Sequence, residues 1–151
     1  MIRKKIPEQL ESLYDAMMSE KPDGASLCVM RIGIDRLKAL RRHVRRLEEV
    51  AERVESILRY ACRSRQARTE IFRLNREDFV LLTYMDSPFD EIPDLKDHLL
   101  DTLIDFDVAE GENYPFSLSV GGIAADPAIP FRANLEWAER MMEIHRSRFE
   151  N

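Results

Sequence analysis

Apolar residues recur at helical spacing in four stretches of this chain and as short dense runs in four others. Within 7–19, Leu10, Leu13, Tyr14, Met17 and Met18 fall three or four apart and predict a helix. Pro22-Asp23-Gly24 breaks the chain. Over 27–34, Cys28, Met30, Ile32 and Ile34 share one face of an expected central strand. Leu47, Val50, Ala51, Val54, Ile57 and Leu58 mark 43–62 as the most regular helix, with Arg and Glu filling its other side. Two apolar runs, 70–74 and 79–84, flank Asn75-Arg76-Glu77-Asp78 and read as a hairpin whose tip carries two adjacent carboxylates. Pro88 and Pro93 read as a loop, followed by a helix carrying Leu95, Leu99, Leu103 and Phe106. Gly111, Asn113 and Pro115 precede a strand over 116–125, which Pro127 and Pro130 end. A last helix over 133–148 is expected to bury Leu135, Ala138, Met141, Met142 and Trp137.

The order is helix, strand, helix, hairpin, helix, strand, helix. Its core, strand-helix-strand-strand-helix-strand, predicts an α+β class with a ferredoxin-like split β-α-β arrangement. One central antiparallel sheet is expected, with helices covering one face and added N- and C-terminal helices. The first strand should lie centrally, with the hairpin tip near its end. Residues 1–24 read as an N-terminal helix and linker, and 25–151 as a single globular unit. That architecture hosts RNA binders, metal carriers and nucleotide cyclases, so it settles no function by itself.

Composition narrows the field modestly. A chain of 151 residues with 44% hydrophobic and 34% charged residues suits one domain with a proper core. A net charge of -5 does not advertise a polyanion partner. No run approaches a membrane span, and the basic segment 1–7 lacks the apolar stretch of a secretion signal, so a cytoplasmic location is expected. Cys28 and Cys62 sit in apolar patterns and read as free buried thiols, and His43, His98 and His145 follow no ligand spacing. No nucleophile set of the Ser/His/Asp or Cys/His kind is legible.

Five segments in order resemble one family. Residues 26–37 resemble the opening strand of GGDEF domains, the diguanylate cyclases of bacterial signalling. Leu47-Glu48-Glu49-Val50-Ala51 looks like their long helix, and Arg73-Leu74-Asn75-Arg76-Glu77-Asp78-Phe79 lies in frame with the signature Arg-x-Gly-Gly-Asp/Glu-Glu-Phe. Ser119-Val120-Gly121 is similar to the Ser-Ile-Gly strand, and Ala138-Glu139 to the closing Ala-Asp segment. The resemblance implies a nucleotide-cyclase architecture in which two such domains meet, each holding one GTP, and join them into cyclic di-GMP. Divalent metals would hold the triphosphate and acidify the attacking hydroxyl. Two carboxylates would bind them, one from the first strand and one from the third signature position.

Residue by residue, much of that chemistry is missing. The first-strand carboxylate aligns with Gly33, two residues before Asp35, and the two signature glycines are Asn75 and Arg76. The guanine-reading Asn aligns with Arg41, the guanine-binding loop is deleted between Arg42 and His43, and the inhibitory Arg-x-x-Asp is absent at 66–69. What remains is Glu77 at the metal-carboxylate position, Asp78 beside it, Lys38 after the first strand, and Arg146 where a phosphate-contacting Lys is usual. The carboxylates of the tip read either as solvated turn residues or as a vestigial metal site at Glu77.

Lys38, Arg41, Arg42, Arg45 and Arg46 form a basic cluster with Arg36. It reads as a solvated helix start, as a docking surface for an acidic protein or phosphate groups, or as a nucleic-acid contact. The sheet lacks the spaced aromatics that stack bases, so no nucleic acid is expected. Positive charge there opposes the helix dipole, and Glu48, Glu49 and Glu52 stand at pairing distance from Arg45 and Arg46. The expectation is therefore a degenerate GGDEF-like domain acting as a regulatory or protein-interaction module, through a protein partner or as a homodimer. No cofactor is expected. The alternative is a diguanylate cyclase or GTP-binding domain with weak residual chemistry, using magnesium and GTP.

Overall fold

The computed structural model describes residues 5–37, 42–110 and 117–150. Lys38 and Arg41, together with Gly111, Asn113, Pro115 and Phe116, lie outside the described residues. The elements run α1 (Glu8–Ser19), β1 (Ser26–Asp35), α2 (Val44–Cys62), β2 (Thr69–Arg73), β3 (Asp78–Met85), α3 (Pro88–Glu110), β4 (Ser117–Ala124) and α4 (Phe131–Glu150). The four strands form one sheet in the order β2-β3-β1-β4, with every pairing antiparallel and β1 inside.

Strand alternation sorts the apolar side chains into two layers. Cys28, Met30, Ile32 and Ile34 face Leu47, Val54, Ile57 and Leu58 of α2 and Leu95, Leu99 and Leu103 of α3. Leu27 and Val29, with Val80 and Leu82, face Leu10, Tyr14 and Met17 of α1 and Leu135 and Ala138 of α4. Helices therefore cover both faces, not one. Both faces of β1 and β3 are apolar, so each face needs a cover, and the terminal helices supply the second. The Tyr14 and Phe131 rings stack at 4.2 Å, and the Tyr84 hydroxyl donates to the Met17 carbonyl at 2.6 Å, tying α1 to α4 and to the sheet.

Three expectations need correction. Pro88 and Pro93 do not mark a loop but lie inside the first turns of α3. Pro88 takes the first helical position, where no backbone N–H is needed, and the Ser87 N–H is held by the Glu91 carboxylate at 2.7 Å. Trp137 and Met141 are not in the core: they are 42% and 40% exposed on the outer face of α4, whereas Met142 is buried. Glu48 does not pair with Arg45 or Arg46; it reaches Arg73 at 2.8 Å and Arg76 at 3.3 Å on the hairpin. A helix pattern shows which residues share a stripe, but not how wide a stripe the sheet can cover.

Candidate functional site

The hairpin tip is built by its own side chains. Asn75 Oδ1 accepts the Glu77 N–H at 2.8 Å, and Asn75 Nδ2 donates to Asp78 Oδ2 at 3.1 Å. The Leu74 N–H closes the turn onto the Asp78 carbonyl at 3.0 Å. The Asn75 side chain thus closes the turn, with no positive φ at Asn75 or Arg76. The Glu77 carbonyl accepts the Ile34 N–H at 2.8 Å, which pins the tip against the end of β1.

That pairing aligns the polar residues. Gly33 lies opposite Asp78 on β3 and opposite Ser119 on β4, so one row across the sheet reads Asp78, Gly33, Ser119. Asp35 follows on the same face, beneath α4. Its side chain is 4% exposed and takes Arg146 Nε on Oδ1 at 2.6 Å, while Oδ2 accepts the Ser119 hydroxyl. Arg146 Nη1 also reaches Glu143 at 2.8 Å. Burial works against the guanidinium's charge, but the hydrogen bond and charge of Asp35, with Glu143 and Asp78 beyond, outweigh it and hold its pKa above the ordinary arginine value.

The close approach of α4 makes this possible. A Cβ on Gly121 would stand 2.0 Å from the Met142 backbone nitrogen, so β4 and α4 meet backbone to side-chain-free backbone. One turn further along α4, Arg146 arrives over Gly33. A Cβ there would lie 2.3 Å from Arg146 Nη2 and 3.3 Å from Asp78 Oδ1. Nearer the other end of the helix, Arg31 is buried with Glu139 at 3.6 Å, and its Nε has no hydrogen-bond partner among the described residues.

On the opposite face, Arg73 and Arg76 bind Glu48 and draw the hairpin onto α2. The hydrogen bond from Arg73, ahead of the other contributions, lowers the Glu48 pKa. Arg42, Arg45 and Arg46 are exposed at the start of α2. Residues His43, Val44, Arg45, Arg46 and Glu49 line an open groove of about 380 Å³ there. His43 offers no side-chain cap, and no acidic residue occupies the first turn, so the first N–H groups of α2 add to the positive field. The named residues thus divide: Arg146 and Asp78 gather under α4, Arg76 turns to α2, and Arg42, Arg45 and Arg46 form a separate surface.

The resemblance implies a divalent ion held by a carboxylate at 33 and by Glu77. The residues present do not fit one. Gly33 has no ligating side chain, and the space such a side chain would occupy holds the Arg146 guanidinium. No group of three or more His, Cys, Asp or Glu is placed to hold a metal among the described residues. His98 Nε2 bonds the Ala61 carbonyl at 2.9 Å, and His145 Nδ1 accepts the Val120 N–H at 2.9 Å, so both serve the scaffold. Burial pushes the Cys28 thiol up to about 12, which leaves it unreactive.

The sequence did not reveal Asp35 and Glu143 as partners of Arg146, nor Ser119 as a partner of Asp35. The three-residue spacing of Glu143 and Arg146 was a visible signal, and so was the alternation that puts Asp35 on the side of Gly33. Nothing local announces that α4 crosses β1 at that point.

No family model and no curated protein sequence matches the chain. Solved structures do. An EAL/GGDEF domain protein from M. capsulatus superposes with a TM-score of 0.64 at 18% identity, over 90% of this chain and 88% of that one. The GGDEF domain of DgcB from Caulobacter crescentus, solved in complex with c-di-GMP, gives 0.65 at 13% identity, over 95% and 84%. At those identities the likeness is one of fold, and by fold this chain is similar to GGDEF domains: a four-stranded antiparallel sheet between helices, with a hairpin tip at the end of its central strand.

Proposed function

We propose that this chain is a regulatory or protein-interaction module of a bacterial cyclic di-GMP-type pathway that does not make the dinucleotide itself. The observation that carries the reading is the guanidinium of Arg146 lying over Gly33 and bonded to Asp35, where a cyclase of this fold would need a metal-binding carboxylate. Losing a metal from phosphoryl transfer removes the charge that holds the triphosphate and acidifies the nucleophile. Asn75 and Arg76 in place of the glycines, with Arg76 tied to Glu48, add side chains where backbone would approach a nucleotide.

Binding of c-di-GMP, as in the Caulobacter neighbour, is not carried over. The Arg-x-x-Asp pattern is absent at 66–69, and Arg68 pairs with Glu20 at 2.6 Å and Glu70 at 3.3 Å. The surface best suited to a partner is the exposed basic start of α2, whose charge favours an acidic protein surface. Incubation with GTP and Mg²⁺ followed by chromatography is expected to yield no cyclic di-GMP, and titration calorimetry no heat at millimolar GTP. Product in the first assay revives the cyclase alternative, and heat without product a nucleotide sensor. Partner capture should be lost in R42E/R45E/R46E; an unchanged set of partners removes the basic surface from the account.

A further inference from the structure

On the α4 side of β1 the residues alternate as Leu27, Val29, Arg31, Gly33, Asp35. The first two belong to the apolar layer with α1 and α4, and the last three change to charge and to no side chain at all. At this end three carboxylates surround one cation. Asp35 bonds Arg146 Nε at 2.6 Å, Glu143 bonds Nη1 at 2.8 Å, and Asp78 adds its field from the hairpin. Ser119 holds the second oxygen of Asp35, so the buried carboxylate is satisfied on both sides. Gly33 sits at the centre, and Arg146 Nη2 lies 2.3 Å from where its Cβ would be. A carboxylate at 33 would meet the Arg146 guanidinium where it now lies, so the guanidinium would have to move aside. The absence of a side chain at Gly33 and the reach of Arg146 are a matched pair.

We infer that Arg146 is the resident cation of this cluster, standing in for a divalent ion, and that Asp35 and Asp78 are neutralised without metal. The physical basis is general. A buried carboxylate must be paired, and a guanidinium supplies both the positive charge and directed N–H donors. Being covalently attached, it is present whatever the magnesium concentration outside. Its planar fork also explains arginine rather than lysine: two different nitrogens serve Asp35 and Glu143 while a third lies over Gly33. The site is thereby a closed electrostatic joint between α4, β1 and the hairpin. The inference concerns this joint alone, and its readouts differ from the product and partner assays above, so either reading can fail without the other.

The test is Mn²⁺ titration followed by electron paramagnetic resonance, on wild type, R146Q and D35N/R146Q. Wild type should leave the free-ion signal unchanged to millimolar Mn²⁺. R146Q, with its carboxylates uncompensated, should bind one Mn²⁺ at least tenfold more tightly and melt higher with the metal than without it. D35N in that background should remove both effects. Mn²⁺ binding by wild type at micromolar concentration overturns the inference, and so does an R146Q protein that binds no better than wild type. If R146Q is unfolded without metal, the neutral pair decides: D35N/R146Q more stable than R146Q supports the joint, and additive losses overturn it.

Discussion

Arg146 shows how much one side chain can settle. Its partner Asp35 is almost fully buried, so removing the guanidinium strands a carboxylate that cannot reach water. R146M is expected to lower unfolding stability by about 3 kcal/mol in urea denaturation, because truncating one member of a buried pair leaves the other uncompensated. A change well under 1 kcal/mol would mean that Asp35 is served by Ser119 alone. Arg36, next in the chain, adopts φ 63°, the left-handed region a side chain resists. R36G is expected to stabilise the protein by about 1 kcal/mol, read in the same experiment. Cys28 supplies a pH prediction. Its folded pKa is raised from an ordinary 9.0 to about 12, so it contributes stability below 9 that is lost as pH rises toward 12. The native thiol should stay silent to Ellman's reagent at pH 8 and react fully once the chain is unfolded; fast native labelling would contradict its burial.

At the level of elements, two contacts set the site. The first is α4 on β4, allowed by Gly121. G121A would drive a methyl into the Met142 backbone, which cannot swing aside as a side chain can. The expected cost is about 3 kcal/mol, and α4 should lift far enough to weaken the Arg146–Asp35 bond as well. The second is the hairpin on α2 through Glu48, which is held low by Arg73 first and then Arg76. A group with a depressed folded pKa contributes above its ordinary value, and that contribution fades as pH falls through the folded one. Carbon-detected NMR should therefore show the Glu48 titration moving upward in R73A, and by less in R76A; equal titration in all three proteins would mean that the tip is not latched there.

Most elements were legible because periodicity is a local property. The alternation of Cys28, Met30, Ile32 and Ile34 and the spacing of Leu47 through Leu58 were enough to place β1 and α2. Pro88 and Pro93 misled because proline ends helices more often than it begins them, and position relative to the cap is a structural fact. Trp137 misled because size alone does not say which way a helix turns.

Across the whole molecule, the fold places the hairpin tip, the end of β1 and Arg146 of α4 together. Gly33, Asn75 and Arg76 were legible in the chain as departures from the pattern the resemblance implies, but the contacts around them were not. The Arg146 network joins residues 35, 78, 119, 143 and 146, and local spacing connects Glu143 to Arg146 but not these two to the rest. No described helix is long and apolar enough to cross a membrane. With both sheet faces covered, the proposed interaction falls to the outer surfaces, where Arg42, Arg45 and Arg46 are exposed at the start of α2.

Anomalous diffraction from a crystal soaked in Mn²⁺ and a non-hydrolysable GTP analogue addresses the central point most directly. The account expects no manganese peak beside Gly33, Asp35 and Asp78, no ordered triphosphate, and Arg146 still seated on Asp35. A manganese peak at that place with phosphates beside it, and Arg146 swung away, would contradict it.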